Sequence, residues 1–554
     1  MTTAERIETG RVTAGYPPEM GELQYKNIPQ LLRQTERFAN RPALTSLGRT
    51  LSYRELDQLS AAFAGWLQQH TSLKPGDRIA IQMPNLIQYP VAFFGAMRAG
   101  LVVVNTNPLY TAREMEHQFR DSGARALVVL ANMASIAEEV IPKTDIEHVV
   151  ITELADLHSP LKRLLINGGA RYLKKMVPSY RLPDAVSFNK ALALGARILH
   201  QEADPDTDSL AVLQYTGGTT GVSKGAMLSH RNVLSNVQQG GALFDSYDFV
   251  DGAETLLLPL PLYHIYAFNA CMGIMSRGCH TWLIPNPRDL DSVIDGFVAS
   301  KATCFSGLNT LFVALCNHPR FCALDFSNLK STTSGGMALT LDAAARWQDV
   351  TGVEITEGYG LTETSPVVSV NPVGANRVGT IGVPLPSTEV RIVTDDGAEA
   401  DPGQPGELLV RGPQVMMGYW QRPEATAEVL DEAGWLKTGD VAIVTEEGYL
   451  KIVDRKKDMI VVSGFNVYPN EIEEVVVSHP AVIECAAIGV SDERTGEAVK
   501  VFVVCSDPAP SEQDLREHCK TLLTGYKAPK QFVFRDELPK SNVGKILRRE
   551  LREP

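Results

Sequence analysis

The residues from Tyr215 to His230, which read YTGGTTGVSKGAMLSH, carry side chains suited to binding phosphate. Glycines without a Cβ atom let backbone N–H groups approach an anion closely, threonine hydroxyls donate hydrogen bonds, and a lysine adds positive charge. These residues are Tyr215, Thr216, Gly217, Gly218, Thr219, Thr220, Gly221 and Lys224. The apolar run LAVLQ precedes the stretch and the helix-like segment HRNVLSNV follows it, which favours a phosphate-binding loop over a plain linker.

Two common kinds of phosphate loop do not fit this sequence. A Walker A loop requires GxxxxGK[ST], but Lys224 follows Ser223, and the pair Gly544-Lys545 is followed by isoleucine. A dinucleotide-binding GxGxxG also fails, because Glu363 stands where the third glycine would follow Gly358-Tyr359-Gly360. Interpretations as a P-loop kinase or a dehydrogenase therefore lose their main support.

Further chemistry is available in the stretches EGYGLTETSP and GWLKTGD. Thr362 offers a hydroxyl to a phosphate, and Glu363 offers a hard oxygen ligand to Mg²⁺. Tyr359 lies between two glycines and can stack on a base, and the carboxylate of Asp440 can accept hydrogen bonds from two ribose hydroxyls. Taken alone, each feature also fits a turn, a cap or a core tyrosine.

Six stretches occur in order along the chain: YTGGTTGVSKG, PLYHIYAF, SGGMAL, EGYGLTETSP, GWLKTGD with the later DRKKD, and PKSNVGK. With this set the chain resembles, over nearly its whole length, the adenylate-forming superfamily of acyl-CoA synthetases, luciferases and adenylation domains. The runs VSGFNVYPNEIE and ELPKSNVGKILRREL look like the bacterial long-chain fatty-acid–CoA ligases. The superfamily's usual loop reads TSGTTGxPKG. Here Gly217 replaces the serine and Ser223 the proline, and that glycine is familiar in the fatty-acid branch.

The resemblance implies a nucleotide site that uses several of these motifs. Tyr359 packs on adenine, Asp440 and Arg455 contact ribose, and Thr362 and Glu363 serve the phosphates and Mg²⁺. Gly335, Gly336 and Met337 line the same adenine slot, and Gly358 and Gly360, which flank Tyr359, also belong to the nucleotide site.

The resemblance also implies catalytic and moving parts. Lys545, on a glycine-containing loop near the chain end, supplies the cation where a carboxylate meets the α-phosphate of ATP. His264 positions the substrate or gates the path of the thiol, although a buried, neutral histidine is the usual interpretation of such a residue. The C-terminal domain turns about Lys457 and presents the stretch Gly464–Asn466 to the pantetheine arm of coenzyme A.

The implied reaction has two steps. A fatty carboxylate attacks the α-phosphorus of Mg-ATP and expels pyrophosphate, and the thiol of coenzyme A then attacks the acyl-adenylate and expels AMP. We therefore expect a long-chain, or medium-chain, fatty-acid–CoA ligase of lipid metabolism that uses ATP, Mg²⁺ and coenzyme A. The alternatives are a ligase for an aryl or other carboxylic acid, and a non-catalytic relative that binds nucleotide or lipid.

The elements that must position these residues follow from length and pattern. The 554 residues suggest two to four structural units, and short apolar runs alternate with helix-length segments from about Arg78 onwards. We predict a large α/β N-terminal domain, with mixed sheets and a small β-rich subdomain, over residues 1–453. A hinge at 454–458 then leads to a smaller, mobile α+β domain over 459–554.

Composition limits the partners and the compartment. A net charge of −13 argues against nucleic acid, and eight cysteines without a CxxC pair indicate buried thiols in a reducing compartment. No signal peptide is visible, and no apolar run approaches the roughly 18 residues of a spanning helix. We predict a cytoplasmic protein, and we leave open both a peripheral contact with the inner face of the membrane through residues 161–182 and a homodimer.

Residues 161–182 carry six Lys or Arg and no acid, interleaved with apolar side chains. Such a segment can lie on an anionic bilayer. The sequence favours the simpler interpretation of a solvated connection with its apolar residues on the core, because Gly168-Gly169 is expected to interrupt any single helix.

Overall fold

The structure is a computed structural model that describes residues 2–216, 223–463, 465–492, 494–540 and 546–552. It divides into two compact units. The larger consists of Val12–Glu389 and Arg411–Gly434, and the smaller of Met1–Arg11, Val390–Val410 and Trp435–Pro554. A large α/β part with mixed sheets and a smaller α+β part confirm the predicted fold class. The division groups the β-rich residues 390–410 with the C-terminal part, and the boundaries 1–453, 454–458 and 459–554 stay a prediction.

The strands of the described residues are β1 Pro42–Ser46, β2 Arg49–Ser52, β3 Arg78–Gln82, β4 Val102–Thr106, β5 Ala124–Leu130, β6 His148–Thr152, β7 Val186–Ser187, β8 Leu210–Thr216, β9 Lys224–Ser229, β10 Thr255–Leu258, β11 His280–Leu283, β12 Cys304–Gly307, β13 Ser331–Ser334, β14 Ile355–Gly360, β15 Val367–Val370, β16 Val383–Pro384, β17 Glu389–Val393, β18 Gly406–Arg411, β19 Leu436–Val444, β20 Leu450–Arg455, β21 Ile460–Val462, β22 Phe465–Val467, β23 Val482–Asp492, β24 Gly496–Cys505 and β25 Gln531–Phe534.

The helices are α1 Thr3–Thr13, α2 Ile28–Gln34, α3 Tyr53–His70, α4 Gln88–Arg98, α5 Ala112–Ser122, α6 Ala134–Val140, α7 Pro160–Gly168, α8 Phe188–Gly195, α9 His230–Asp245, α10 Ile265–Ser276, α11 Leu290–Ser300, α12 Asn309–Cys316, α13 Pro319–Cys322, α14 Leu341–Thr351, α15 Pro423–Val429, α16 Pro469–Val477, α17 Glu512–Leu522 and α18 Arg548–Arg552. None of these helices is both long and apolar enough to cross a membrane.

Two mixed sheets form the larger unit. One runs β7-β6-β5-β3-β4-β8-β9 and the other β16-β15-β14-β13-β12-β10-β11-β1-β2. Strands β3, β4 and β5 pair in parallel and are almost wholly buried, which explains why RIAIQ, VVVNT and ARALVVL are continuous rather than alternating apolar runs. Helix α2 contacts both α4, which packs on the first sheet, and α10, which packs on the second. The helices between the sheets therefore join them into one core.

An aromatic cluster supports the strands that later carry the site. Phe305 on β12 stacks on Trp347 of α14, with ring centroids 5.4 Å apart, and Phe312 and Phe321 also pack on Trp347. All four side chains are fully buried. Close packing of this kind fixes the positions of β12, β13 and β14 relative to one another.

The smaller unit contains two sheets, the second of which is mixed. One runs β17-β18-β19-β20, and the other runs β22-β21-β24-β23 with β25 paired in parallel to β24. Helices α16 and α17 pack their apolar residues on one face of the second sheet. Ser511 caps α17 in a capping box with Asp514, as the spacing predicted.

The prediction for residues 161–182 is wrong about which side chains the fold covers. Gly168 ends the α-helix α7, as the glycine pair predicted, and a π-helical turn follows directly at Gly169–Leu173. Leu161, Leu164, Leu165, Tyr172, Leu173 and Met176 are exposed, whereas Leu182 packs on the core. The burial pattern of a surface segment depends on which of its faces the rest of the fold covers, and this choice was not visible in the sequence.

Candidate active site

The predicted phosphate loop connects two antiparallel strands. Thr216 at the end of β8 is paired with Lys224 at the start of β9, so both stand at the mouth of a hairpin. The sequence pattern indicated a helix after the loop, but β9 intervenes and α9 begins only at His230. Tyr215 is buried below the mouth, where its hydroxyl donates to Asp121 Oδ2 at 2.7 Å. Burial, reinforced by Asp121, raises the pKa of Tyr215.

Glu363 lies on a 3-10 turn, Thr362–Thr364, and Tyr419 joins it to Lys224. The hydroxyl of Tyr419 donates to Glu363 Oε1 at 2.7 Å, and Lys224 Nζ lies 5.1 Å from the centroid of the Tyr419 ring. The backbone N–H of Met416 donates to the carbonyl oxygen of Glu363 at 2.8 Å. The structure thus brings together a cation and a carboxylate that are far apart in sequence.

Sequence reasoning missed Tyr419. It belongs to the run MMGYW, which passes beside β9, where Tyr419 forms a bridge with Ala226 and Trp420 N donates to the carbonyl oxygen of Gly225 at 2.8 Å. Burial, and then the Glu363 carboxylate, raises the pKa of the Tyr419 hydroxyl, which therefore remains a hydrogen-bond donor at neutral pH. The short apolar run gave no chemical signal, because the role of the tyrosine depends on its pairing with β9.

A slot lined by glycines forms where β13 and β14 end side by side. Gly335, Gly336 and Met337 follow β13, and Tyr359 lies on β14 opposite Ser369 of β15. A Cβ atom on Gly335 would lie 3.3 Å from the carbonyl oxygen of Gly358. A Cβ atom on Gly360 would clash with the carbonyl oxygen of Pro366 at 1.9 Å. Glycine is required at 360 for this close approach. Tyr359 is half-buried and lies on β14 between Gly358 and Gly360.

Glu357, which the sequence analysis did not single out, fixes the loop that follows β13. Its Oε1 accepts from the backbone N–H of Leu339 at 3.2 Å, and its backbone carbonyl accepts from Asn371 N at 2.9 Å. The side chain is buried, and burial raises its pKa to about 8. The carboxyl group is therefore largely neutral near pH 7 and acts as a positioning group.

Three serine hydroxyls near the slot are buried without a hydrogen-bond partner among the described residues. They belong to Ser334, Ser365 and Ser369. Ser334 precedes Gly335, and Ser369 is the strand partner of Tyr359. Buried polar groups are nearly always paired in folded proteins, so these hydroxyls fit a site that receives a polar ligand or water.

His264 caps α10, where its Nδ1 accepts from the backbone N–H of Tyr266 at 3.3 Å. A neutral ring in this arrangement carries its proton on Nε2. The residue is partly exposed, so the usual interpretation as a buried core histidine does not describe it.

A buried polar chain ends beside this residue. Tyr89 Oη donates to Asn105, Asn105 Nδ2 donates to Gln214 at 2.9 Å, and Gln214 Nε2 donates to the carbonyl oxygen of Tyr263 at 2.8 Å. The chain crosses from α4 through β4 and β8 to the residue before His264. Sequence patterns did not reveal it, because its members are polar residues within apolar runs.

In the smaller unit, Asp440 and Arg455 are paired. They face each other on β19 and β20, and Arg455 Nε lies 3.2 Å from Asp440 Oδ1. Asp440 is buried, and its backbone N–H donates a hydrogen bond to Thr438 Oγ1 at 3.1 Å in the preceding turn. The two residues predicted to contact ribose thus lie together.

Lys457 lies in the turn between β20 and β21. Although its side chain is largely exposed, partial burial lowers its pKa to about 8. The neighbouring Asp458 pairs with Arg552 at 2.9 Å and with Arg548 at 3.6 Å. The predicted hinge is therefore tied to the last helix of the chain.

Several predicted residues lie outside the described residues. They are Gly217, Gly218, Thr219, Thr220, Gly221, Gly464 and Lys545. Their proposed roles therefore rest on the sequence.

Two family models match this chain. Residues 31–420 match the model described as AMP-binding enzyme, and residues 471–545 match the AMP-binding enzyme C-terminal domain. The chain belongs to the AMP-binding enzyme family. The two matches together include the hairpin, the glycine slot and the C-terminal segment that reaches residue 545.

Curated relatives of this AMP-binding enzyme match it from end to end. It is 51% identical over 552 residues to a long-chain-fatty-acid–CoA ligase of Escherichia coli O157:H7, covering 99% of this chain and 98% of that protein. It is 48% identical over 535 residues to the same kind of ligase from Haemophilus influenzae, covering 96% and 95%. A feruloyl-CoA synthase of an Amycolatopsis species is 35% identical over 509 residues, covering 91% and 94%.

Solved structures show the same fold. The anthranilate CoA ligase in complex with anthranoyl-AMP superposes with a TM-score of 0.83 at 26% identity, covering 96% of this chain and 97% of that one. ATP-bound MatB from Rhodopseudomonas palustris superposes with a TM-score of 0.78 at 30% identity, covering 95% and 98%.

The residues of this AMP-binding enzyme fit a magnesium nucleotide. Mg²⁺ on phosphates keeps several water ligands and needs only one or two carboxylates from the protein. Glu363, oriented by Tyr419, offers one such carboxylate. No group of three or more His, Cys, Asp or Glu that could hold a metal ion occurs in the described part of the chain.

Proposed function

We propose that this AMP-binding enzyme is a long-chain fatty-acid–CoA ligase. It activates a fatty acid with ATP through an acyl-adenylate and transfers the acyl group to coenzyme A, releasing AMP and pyrophosphate. The observation that carries the proposal is the 51% identity to the Escherichia coli ligase across 99% of this chain. The joined Lys224, Tyr419 and Glu363 side chains support a site that binds the phosphates of ATP.

In the first step, the fatty carboxylate attacks the α-phosphorus of ATP. The residues that hold the nucleotide are proposed to be the hairpin loop at 216–224 for the β- and γ-phosphates, Tyr359 for adenine and Asp440 with Arg455 for ribose. Glu363 holds Mg²⁺, which neutralises phosphate charge when bound. Lys545 reduces the repulsion between the two approaching anions, a contribution of roughly 2–4 kcal/mol at the transition state.

In the second step, the thiol of coenzyme A attacks the acyl-adenylate carbonyl and AMP leaves. We assign His264, with its proton on Nε2, to positioning the carboxylate or gating the thiol. The C-terminal domain, residues 459–554, turns about Lys457 between the two steps and presents the stretch Gly464–Asn466 to the pantetheine arm. Each arrangement serves one half-reaction, and bound nucleotide biases their populations.

Measuring product release over a panel of acids tests which acid the enzyme activates. We expect AMP and pyrophosphate to be released in a coenzyme A-dependent manner, with the highest kcat/KM for long-chain acids in a panel from butyrate to oleate that includes ferulate. An aryl acid is the second candidate substrate, because the feruloyl-CoA synthase is 35% identical over 509 residues. Release of ADP, or AMP release with none of the acids, would contradict the ligase proposal.

The setting of the reaction is proposed from the sequence and surface. We place the enzyme in the cytoplasm, in peripheral contact with the inner face of the membrane through residues 161–182. A homodimer is tested by sedimentation equilibrium of the full chain, in which a single species at 60.5 kDa would exclude it.

A further inference from the structure

The segment from Pro160 to Met176, which is helical as far as Leu173, presents an apolar stripe to solvent. Its side chains are between 46% and 84% exposed. They are Leu161, Leu164, Leu165, Tyr172, Leu173 and Met176, and together they are called the leucine face here. Residues three and four apart share one side of a helix, so the three leucines of α7 form a continuous patch. The π-helical turn carries Tyr172 and Leu173 onward.

The opposite side of the segment is polar and attached to the protein. Asn167 is buried, and its Oδ1 accepts from the backbone N–H of Ala155 at 2.9 Å. Arg171 pairs with Glu153 at 2.5 Å. Surface helices normally turn their apolar side inward, and this one is reversed. These polar contacts hold the helix with its leucine face toward solvent. An exposed apolar face of this kind fits a partner outside the chain.

The rim of the leucine face is positively charged. Lys162, Lys174, Lys175 and Arg181 are exposed, and residues 161–182 contain no acid. Lys162, Lys174 and Lys175 have no ion pair among the described residues. The whole chain has a net charge of −13, whereas this surface is locally positive. The partner of this surface is therefore negatively charged.

A cavity of about 420 Å³ adjoins the first turn of α7 and extends the basic rim. It is lined by Gly48, Arg49, Leu157, His158, Ser159 and Lys162. His158 is buried, its Nε2 donates to the carbonyl oxygen of Leu47 at 2.9 Å, and its Nδ1 has no partner in the part of the chain that the structure describes. Lys162 and the hydroxyl of Ser159 suit an anionic headgroup beside the apolar stripe, whereas Arg49 is already paired with Glu55.

We infer that the leucine face and its basic rim dock the enzyme on a bilayer of anionic phospholipids. The inference rests on the proposed membrane contact and names its residues and lipid chemistry. Leucine and tyrosine side chains insert at the boundary between headgroups and acyl chains, while the lysines contact the negatively charged headgroups. A second copy of the chain fits poorly, because two such faces would bring together six basic residues from each partner without an acid.

Flotation of the full-length protein with vesicles tests the inference. We expect the wild type to bind vesicles of phosphatidylglycerol and phosphatidylethanolamine, and to bind phosphatidylcholine vesicles far more weakly. The double variant Leu164→Ser with Leu165→Ser should lose at least about tenfold in partitioning. Lys174→Gln with Lys175→Gln should lose roughly 30-fold at low salt, the effect of two charges near an anionic surface.

Matched controls lie elsewhere on the surface. Leu199→Ser with Leu341→Ser removes two exposed leucines, and Lys301→Gln with Lys520→Gln removes two exposed lysines. Neither control pair should change partitioning. Equal losses in the controls, equal binding to both kinds of vesicle, or no binding by the wild type would overturn the inference. So would a leucine variant that loses self-association instead of vesicle binding.

Synthesis of acyl-CoA from octanoate without vesicles separates this inference from the proposed function. All variants should retain wild-type rates in that assay, because the leucine face is not part of the nucleotide site. A wild type that binds anionic vesicles but forms no acyl-CoA from any acid between butyrate and oleate would contradict the ligase proposal alone. A wild type that forms acyl-CoA but ignores vesicles would contradict the docking surface alone.

Discussion

Glu363 is held from two directions. Its carbonyl oxygen accepts from Met416 N and its Oε1 accepts from Tyr419 Oη, so both the backbone and the carboxylate are oriented by the run 416–419. A hydrogen bond to a charged group contributes about 1.5–3 kcal/mol. At this scale, the neutral tyrosine between Lys224 and Glu363 is as important to the proposed phosphate site as the two charged residues.

Replacing Tyr419 with phenylalanine tests this arrangement. The Glu363 carboxylate loses its donor, so we expect kcat/KM for acyl-adenylate formation to fall about tenfold to a hundredfold. The Mg²⁺ concentration for half-maximal rate should rise. Pyrophosphate release at varied Mg²⁺ measures both effects.

Tyr53→Phe is the matched control. It removes another buried tyrosine hydroxyl, which donates to the carbonyl oxygen of Cys279 at 2.5 Å away from the predicted motifs. This variant should change stability but not the Mg²⁺ dependence. An unchanged Mg²⁺ dependence in Tyr419→Phe would remove the proposed role of Tyr419.

Glu357 makes the stability of the larger unit depend on pH. Burial raises its pKa to about 8, whereas the unfolded chain has about 4.3. The folded state therefore binds the extra proton between these values. The resulting stability is fully present below about pH 4.3 and is lost as the pH rises through about 8.

Glu357→Gln keeps the acceptor for Leu339 N but cannot titrate. We expect the unfolding free energy of the variant, relative to the wild type, to rise by on the order of 4 kcal/mol between about pH 5 and pH 8. Calorimetry across this pH range measures the trend. A constant difference between variant and wild type would show that Glu357 does not titrate there.

Glu254→Gln is a control of opposite sign. Burial raises the pKa of Glu254, but Lys330 at 2.8 Å and the N–H of Val250 outweigh it, and the net pKa is lowered. Its contribution is present above the unfolded pKa and is lost as the pH falls through the lower folded value. This variant should therefore lose stability at neutral pH and approach the wild type in acid.

Among the elements, helix α18 connects the predicted hinge to the rest of the C-terminal segment. Arg548 of α18 pairs with Glu473 of α16 at 2.8 Å and bonds Asn470 Oδ1 at 2.8 Å, and Arg548 and Arg552 both pair with Asp458 beside Lys457. These contacts connect three parts of the smaller unit: the turn after β20, helix α16 and the segment that follows residue 545. We expect the orientation of the Lys545 loop to depend on them.

Arg548→Met should therefore impair the first half-reaction selectively. We expect acyl-adenylate formation to fall at least about tenfold, because an oriented charge displaced by about 1 Å loses much of its effect. The rate from supplied acyl-adenylate and coenzyme A should change much less. Arg548→Lys should recover part of the first rate.

Lys530→Met provides the comparison within the same unit. It breaks an exposed pair with Asp492 at 2.9 Å, and exposed pairs contribute little. Both half-reactions should remain near wild type. Equal loss of the two half-reactions in Arg548→Met would indicate simple destabilisation of the unit.

For the whole molecule, the proposed chemistry requires two different surroundings for one substrate. Adenylation brings together two anions and needs a cation, whereas thioester formation needs an open path for a thiol. The chain has two compact units, and the predicted hinge lies in the smaller one. Alternation between arrangements lets one set of bound atoms pass through both steps.

Lys545→Ala separates these steps. We expect acyl-adenylate formation to fall by about 30-fold to 1,000-fold, because one positive charge at the α-phosphate is lost. Conversion of supplied acyl-adenylate and coenzyme A to acyl-CoA should continue. Equal loss in both assays would contradict the assignment of Lys545 to the first step alone.

The sequence by itself determined most of the architecture and the family. Short apolar runs separated by helix-length segments predicted the parallel strands β3 to β6, and the capping pattern predicted the start of α17. Both signals are local, so they can be recognised without knowing the tertiary structure. The six ordered motifs predicted the adenylate-forming superfamily, which the two family matches confirm.

Only the tertiary structure decided which side chains meet and which faces are covered. Tyr419 reaches Glu363 because residues 416–420 lie beside β9, and the pKa of Glu357 is raised because the fold buries its carboxyl group. The segment at 160–176 turns its polar side toward the protein, because Asn167 bonds Ala155 and Arg171 pairs with Glu153, while its leucines stay exposed. Contacts between distant segments and the depth of burial depend on the packed fold, and no local pattern records them.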